Sequence, residues 1–187
     1  MKITPLAIPD VIRIEPQIFN DERGFFYESF NEAKFSEVID RNVTFVQDNE
    51  SLSKQAVLRG LHYQIGCPQG KLVRVTEGEI FDVAVDLRQN SPTFGHWVGE
   101  RLSADNKKQL WIPEGFAHGF FVLSTIARCH YKVTDYWAPL QERCLRYDDA
   151  DIGIKWPMLN SDQGDPLAPL LSARDRLGAP FRQSETF

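Results

Sequence analysis

The amino-acid sequence predicts a mainly β protein, a sandwich or barrel of many short strands with a few short helices. Three observations predict it. Eight strand-like runs follow one another between 44 and 134, at 44–52, 56–64, 71–76, 79–87, 96–102, 110–112, 118–123 and 127–134. Turn formers separate them at Gly66 to Gly70, Glu77-Gly78, Asn90-Ser91-Pro92 and Pro113-Glu114-Gly115, and short strands with regular turns indicate sandwiches and barrels. One window only, just after residue 30, repeats apolar residues at a helical period.

The elements follow in order. Pro5 and Pro9 bracket a short lead-in, and Val11 to Glu15 reads as an edge strand, where a nearby proline is tolerated. Asn20 to Gly24 is a turn cluster, and Phe25 to Phe30 is aromatic and strand-like. Asn31 can cap a helix whose apolar stripe is Phe35, Val38 and Ile39, ending around Asp40-Arg41-Asn42. Within 79–87, Phe81, Val83, Val85 and Leu87 alternate with Asp82, Ala84 and Asp86, the pattern of a half-buried strand. Beyond Trp137, prolines and glycines punctuate a long closing segment in which 170–175 forms a helical turn and 178–187 reads as a poorly ordered tail.

A chain of 187 residues supports one sizeable core, so 1–187 is expected to be a single domain ending in that tail. Net charge is -5 without a run of Lys or Arg, which excludes nucleic acid and anionic membrane surfaces as general partners. The three cysteines, Cys67, Cys129 and Cys144, lack CxxC spacing. That argues against a disulfide framework or a zinc-thiolate site and for a reduced compartment. The start lacks a signal peptide's apolar core, and no window has the apolar length of a membrane span. A cytoplasmic location is the expectation.

The chemistry centres on Arg59-Gly60-Leu61-His62-Tyr63-Gln64. On a strand, Gly60, His62 and Gln64 face one way and Arg59, Leu61 and Tyr63 the other. His62 is a candidate proton carrier, because imidazole changes charge near neutral pH; taken alone, this stretch favours a hydrogen-bonded core histidine, and the rest of the chain shifts the balance. The other histidines are His96, His118 and His130. Pro113 to Gly119 has the proline-glycine-histidine spacing of the second half of the cupin barrel signature. A metal-binding cupin also needs two histidines one residue apart and a nearby acid. Here Gln64 stands two after His62 and Lys71 occupies the acid's region, leaving too few ligands for a metal.

No Gly-x-Ser-x-Gly elbow, glycine-rich phosphate loop or GxGxxG is present. Histidine, lysine, tyrosine and carboxylates suit proton transfer. Arg23, Arg59, Lys71 and Arg174, gathered in one barrel mouth, would suit a diphosphate. Tyr131 shares a face with Cys129 and Val133, either core or lumen.

The chain carries, in order, the blocks Asp21 to Phe26 with Glu28, Gln47-Asp48-Asn49, Leu58 to Gln64, Gly70-Lys71, Val83 to Asp86, Pro113 to Phe120, Tyr131 to Tyr136 and Leu171 to Asp175. As a set they resemble the dTDP-4-dehydrorhamnose 3,5-epimerase family of cupin-fold sugar-nucleotide epimerases. The resemblance implies a cupin-type jelly-roll barrel, a homodimer, no cofactor and no metal. It implies a dTDP-linked 4-keto-6-deoxy sugar as substrate, inverted at C3 and C5. His62 is then the base, Asp175 the acid hydrogen-bonded to it, Lys71 the stabiliser of the enolate oxygen, and Tyr131 the acid that protonates the opposite face.

Binding roles carry over likewise. Arg23 and Arg59 meet phosphate and Trp137 stacks on thymine. Phe26, Glu28, Gln47, Asn49, His118, Glu142 and Arg174 fall on the other nucleotide and sugar contacts, with the Arg23 to Glu28 segment reaching a neighbouring subunit's site. Two positions depart from the family pattern. Position 174 is usually lysine, and arginine keeps the charge in a different hydrogen-bond geometry; position 137 is more often phenylalanine or tyrosine, and tryptophan fills more room. Alternatives are an epimerase of one centre, a ketoisomerase, a non-catalytic sugar-nucleotide binding cupin, and a metal-dependent enzyme that the missing paired histidines disfavour.

Overall fold

The computed structural model describes residues 1–39, 41–157, 159–160 and 163–187. Two antiparallel sheets face each other. The first holds, in spatial order, β1 (Lys2–Pro5), β2 (Ile12–Glu15), β10 (Gln109–Ile112), β7 (Lys71–Glu77), β12 (Ile126–Val133) and β5 (Gln47–Lys54). The second holds β13 (Glu142–Cys144), β6 (Leu58–Gln64), β11 (Phe116–Val122), β8 (Glu79–Asp86) and β9 (Trp97–Ser103). The chain alternates between sheets, β5 to β6 to β7 to β8 and again β9 to β10 to β11 to β12, which is a jelly roll closed into a barrel. A hairpin of β3 (Phe19–Asp21) and β4 (Gly24–Phe26) stands apart from both sheets.

Alternation along the strands sorts side chains into an inner and two outer layers. Val73, Val75, Leu110, Ile112 and Cys129 from the first sheet meet Ile80, Ala84, Phe116, Phe120 and Val122 from the second. On the first sheet's outer face, Ile14, Leu72 and Trp111 are covered by α1 (Glu32–Ile39), which buries Phe35. Phe35 meets Trp111 edge-on with centroids 5.2 Å apart, and its burial contributes roughly 2 kcal/mol. Asn31 caps α1 as expected, accepting from Lys34 N at 3.1 Å. Of the expected stop at 40–42, Asp40 lies outside the described residues.

Several expectations are corrected. Phe25 to Phe30 is strand only to Phe26, Asn20 and Asp21 of the expected turn belong to β3, and β1, β3 and β13 were not anticipated. The strand at 79–87 is buried on both faces, with Asp82 and Asp86 0% exposed, because Ile80 and Ala84 pack into the barrel core while Val83, Val85 and Leu87 are covered on the outside by residues that include Phe181 and Phe187. Asp86 is kept ionised there: burial pushes its carboxyl up, but hydrogen bonds from Arg88, Ser91 and Thr93 outweigh that and hold it at about 2. The segment 178–187 is packed rather than loose. Phe187 N donates to Leu87 O and Ala179 N to Cys144 O, while Phe181 and Phe187 cover the apolar outer face made by Tyr63, Val85 and Leu87.

The correction that matters most for function is in β6. His62 pairs with His118 and Arg59 with Phe120 on β11, so Gly60 and Leu61 together oppose Gly119 alone. This extra residue is a β-bulge, which resets the alternation. Arg59 therefore lines the same cavity as His62 instead of facing away. Gly60 has φ +121°, and a Cβ there would stand 2.5 Å from Gly119 Cα and 2.8 Å from His118 O. Both contacts are with backbone, so no rotamer relieves them. Gly60→Ala is expected to lower the unfolding free energy by about 2 kcal/mol or more, measured as a drop in denaturant midpoint at unchanged m-value.

Candidate active site

The barrel opens into a cavity of about 600 Å³. Its walls come from both sheets: Gln47 and Asn49 of β5, Lys71 of β7 and Tyr131 of β12 on one side, Arg59, His62 and Gln64 of β6 and His118 of β11 on the other. Glu142, Trp137, Leu170, Leu171, Ser172 and Asp175 close the rim, whereas Arg174 is not among the lining residues.

Asp175 is brought in by α2 (Ala173–Arg176), whose N-cap is Ser172. Ser172 Oγ accepts from Asp175 N at 3.1 Å and donates to Asp175 Oδ2 at 2.7 Å. Asp175 Oδ1 lies 2.7 Å from His62 Nε2. Burial, at 4% exposure, pushes the Asp175 carboxyl up. Hydrogen bonds from His62, Ser172 and the Gly60 backbone, with the His62 charge, outweigh it and hold the carboxyl below the usual carboxylate range. An ionised Asp175 accepts from Nε2–H, which leaves His62 Nδ1 for a ligand.

Lys71 is 6% exposed, and among the described residues its Nζ forms no hydrogen bond. Burial lowers its ammonium to about 8, against the opposing pull of Glu142, Asp82 and Glu114. Tyr131 packs against the inner core and lines the cavity as well, so both sides left open by spacing are true of one ring. Burial raises its phenol, keeping the hydroxyl protonated.

His118 sits opposite His62 in the ladder, its Nε2 2.7 Å from Asp82 Oδ1. Among the described residues Asp82 Oδ2 has no hydrogen-bond partner. Arg59 donates Nε–H to Ser53 Oγ at 3.0 Å. At the rim, Trp137 is 57% exposed, its indole N–H donating to Glu142 Oε2 at 2.7 Å. Arg174 Nη1 reaches the same oxygen at 2.7 Å. Trp137 N donates to Gln47 Oε1 at 3.1 Å, and Gln47 Nε2 to Asn49 Oδ1 at 2.8 Å.

Gln64, where a metal-binding cupin would carry histidine, is a clamp on the chain around Trp137. Its Nε2 donates to Cys67 O and Tyr136 O, and its Oε1 accepts from Ala138 N at 2.8 Å. Arg23, Phe26 and Glu28 do not line their own chain's cavity. Arg23 pairs with Asp21 at 2.6 Å, Glu28 with Lys34 at 2.8 Å, and Phe26 is 71% exposed.

Sequence reasoning missed Asp82, Ser53 and the clamp made by Gln64. Asp82 carried a misleading signal, since its place in an alternating strand pointed outward. Ser172 was missed as well, although Ser172-x-x-Asp175 has a capping-box spacing that could have marked it.

An imidazole–carboxylate pair, a buried lysine and a phenol around one jelly-roll lumen define an enzyme of proton transfer. The profile of dTDP-4-dehydrorhamnose 3,5-epimerase matches residues 5–183, and the chain belongs to that family. The dTDP-4-dehydrorhamnose 3,5-epimerase of Pseudomonas aeruginosa is 59% identical over 187 residues, 100% of this chain and 99% of that one. The dTDP-6-deoxy-D-glucose-3,5-epimerase of Legionella pneumophila, solved in complex with dTDP-4-keto-L-rhamnose, superposes with a TM-score of 0.92 at 48% identity, covering 98% of this chain and 94% of that one. A 3'-monoepimerase from Streptomyces bikiniensis in complex with dTDP-quinovose gives 0.85 at 31% identity, covering 95% and 87%.

The Asp175 carboxyl, held below its usual value near 3.8, adds stability that is complete above that value and is lost as pH falls through the folded one. Ser172→Ala removes one of its donors together with the helix cap. It should cost about 1–2 kcal/mol at neutral pH, and in urea titrations the gap from wild type should narrow as pH drops below 4.

Proposed function

We propose that the protein is an isomerase converting dTDP-4-dehydro-6-deoxy-D-glucose to dTDP-4-dehydro-L-rhamnose by epimerisation at C3 and C5. The observation that carries this is the placement of His62 and Tyr131 on opposite sheets of one lumen, so that a sugar between them meets a base on one face and an acid on the other. Inversion requires that geometry; exchange from a single side returns the same stereoisomer.

The C4 ketone acidifies the protons on C3 and C5. His62 takes one, with Asp175 stabilising the imidazolium through Nε2–H. The electrons move to the C4 oxygen, where the Lys71 ammonium, without an acceptor among the described residues, stabilises charge that develops towards the transition state. Tyr131 then gives its proton to the carbon's other face, and solvent resets the imidazolium and the phenolate. The ketone supplies the acidity, so the steps call on no metal or redox cofactor.

Arg59 fits the diphosphate and Trp137 the thymine ring, with Glu142 holding Trp137 and Arg174 at the rim. Gln47, Asn49 and His118 fit the sugar and nucleoside. The protein acts as a homodimer of single-domain chains, in which Arg23, Phe26 and Glu28 complete the partner's lumen. Their exclusion from their own cavity and the exposure of Phe19, Phe25 and Phe26 support this. Among the described residues no helix is long and apolar enough to cross a membrane, and a cytoplasmic setting fits a nucleotide-sugar substrate. The likeness to a 3'-monoepimerase favours inversion at C3 alone as the second reading.

Proton NMR of dTDP-4-dehydro-6-deoxyglucose in deuterated water separates these readings. Wild type should lose the signals of both C3 and C5, and His62→Ala should slow that loss by roughly 10²–10⁴-fold. Tyr131→Phe should still exchange but fail to invert. Loss at C3 alone moves the assignment to a monoepimerase, while no exchange with intact dTDP binding sinks the enzyme reading for this substrate.

A separate outcome follows from Lys71. Its charged form dominates below about 8, so kcat should fall as pH rises through that value. Lys71→Met should remove this alkaline limb along with most of the rate; a limb unchanged in the variant would assign it to another group.

A further inference from the structure

Cys144 is a half-buried thiol that the proposed reaction does not use. It ends β13 directly opposite His62 in the β13–β6 ladder, and its Sγ lies 4.0 Å from Asp175 Oδ1. That same oxygen is 2.7 Å from His62 Nε2. One ligand atom from each of His62, Cys144 and Asp175 lies within 4.8 Å of the other two. The three come from β6, β13 and α2, so strand pairing and a capped helical turn set their spacing. That is why the spacing of cysteines in the sequence gave no hint of it.

We infer that these three side chains form a binding site for a thiophilic divalent cation such as Zn²⁺ or Cd²⁺, and that an ion bound there blocks catalysis. Imidazole nitrogen, thiolate sulfur and carboxylate oxygen are the donors such ions take, and three protein donors leave a fourth position for a water from the lumen. Ligand atoms around a tetrahedral ion with bonds of about 2.0–2.3 Å stand roughly 3–4 Å apart. The His62–Asp175 contact therefore opens by a few tenths of an ångström, and the sulfur moves in by about 1 Å at most. Little holds the sulfur back: its hydrogen-bond contacts are Leu145 O at 3.7 Å and the Asp175 oxygen itself.

Binding releases the thiol proton to solvent and puts the ion where the His62–Asp175 proton lies. A neutral imidazole bonded to metal through Nε2 carries its hydrogen on Nδ1. It then has no lone pair with which to take a proton from carbon. The block of catalysis rests on His62 being the base; the binding of the ion does not.

The test titrates Cd²⁺ into the metal-free protein, reading the ultraviolet thiolate-to-cadmium absorption, with Zn²⁺ as competitor. Wild type and Cys67→Ala should each bind a single Cd²⁺ saturably with the band, and Cys144→Ala should lose both while keeping its metal-free activity. Cys129, 1% exposed in the inner core, is out of reach. In parallel, Zn²⁺ should abolish solvent exchange of the substrate in wild type, spare Cys144→Ala, and be reversed by a chelator. A wild type without the band, or a band unchanged in Cys144→Ala, overturns the site. Binding at Cys144 that leaves exchange untouched overturns the block. A chain that shows the band at Cys144 yet never exchanges substrate protons upholds the site and sinks the epimerase reading instead.

Discussion

Gly60 meets Gly119 backbone against backbone, and the bulge that this contact permits sets up the rest of the lumen. One extra residue in β6 turns Arg59 and His62 to the same side, so that both line one cavity. The same bulge aims the Gly60 N–H at Asp175, one of the influences that keep that buried carboxyl ionised. Asp175 in turn fixes the ring of His62. A side chain at position 60 would disturb Arg59, His62 and Asp175 at once.

Around that feature the barrel balances charge in a small space. Lys71 is buried and, among the described residues, has no hydrogen-bonded partner, while Glu142, Asp82 and Glu114 oppose the burial that lowers its ammonium. The result is a cation that is present near neutral pH, the preorganised charge that the proposed mechanism sets against a developing oxyanion. Glu142 contributes twice, since it also gathers Trp137 and Arg174 at the rim. Fixing the Trp137 loop falls to Gln47 and Gln64, whose amides satisfy main-chain groups that would otherwise be left unpaired near the cavity.

Much of this was legible beforehand. Breakers and β-branched runs marked the strands from β5 to β12 because turn chemistry and period are local properties, and Asn31 marked the start of α1 for the same reason. What stayed hidden depends on partners distant in sequence. Asp82 looked solvent-facing because alternation shows which residues share a face but not whether that face is covered. Arg59 was placed on the wrong side because a bulge is set by the opposing strand, here by Gly119. The segment 178–187 looked loose because its apolar residues, Phe181 and Phe187, are few and pack against a sheet assembled elsewhere. Arg23, Phe26 and Glu28 were expected from the family resemblance to serve a neighbouring subunit's site, and none of them lines its own chain's cavity.

The central claim is that acid and base approach the sugar from opposite sheets. The most direct measurement is a crystal structure of the protein with a bound dTDP-linked 4-keto sugar. The account predicts the pyranose ring between residues 62 and 131, with His62 facing C3 or C5 on one side, Tyr131 on the other, and the C4 oxygen towards Lys71. A ring with His62 and Tyr131 on the same face, or a sugar lying outside the lumen, would contradict it.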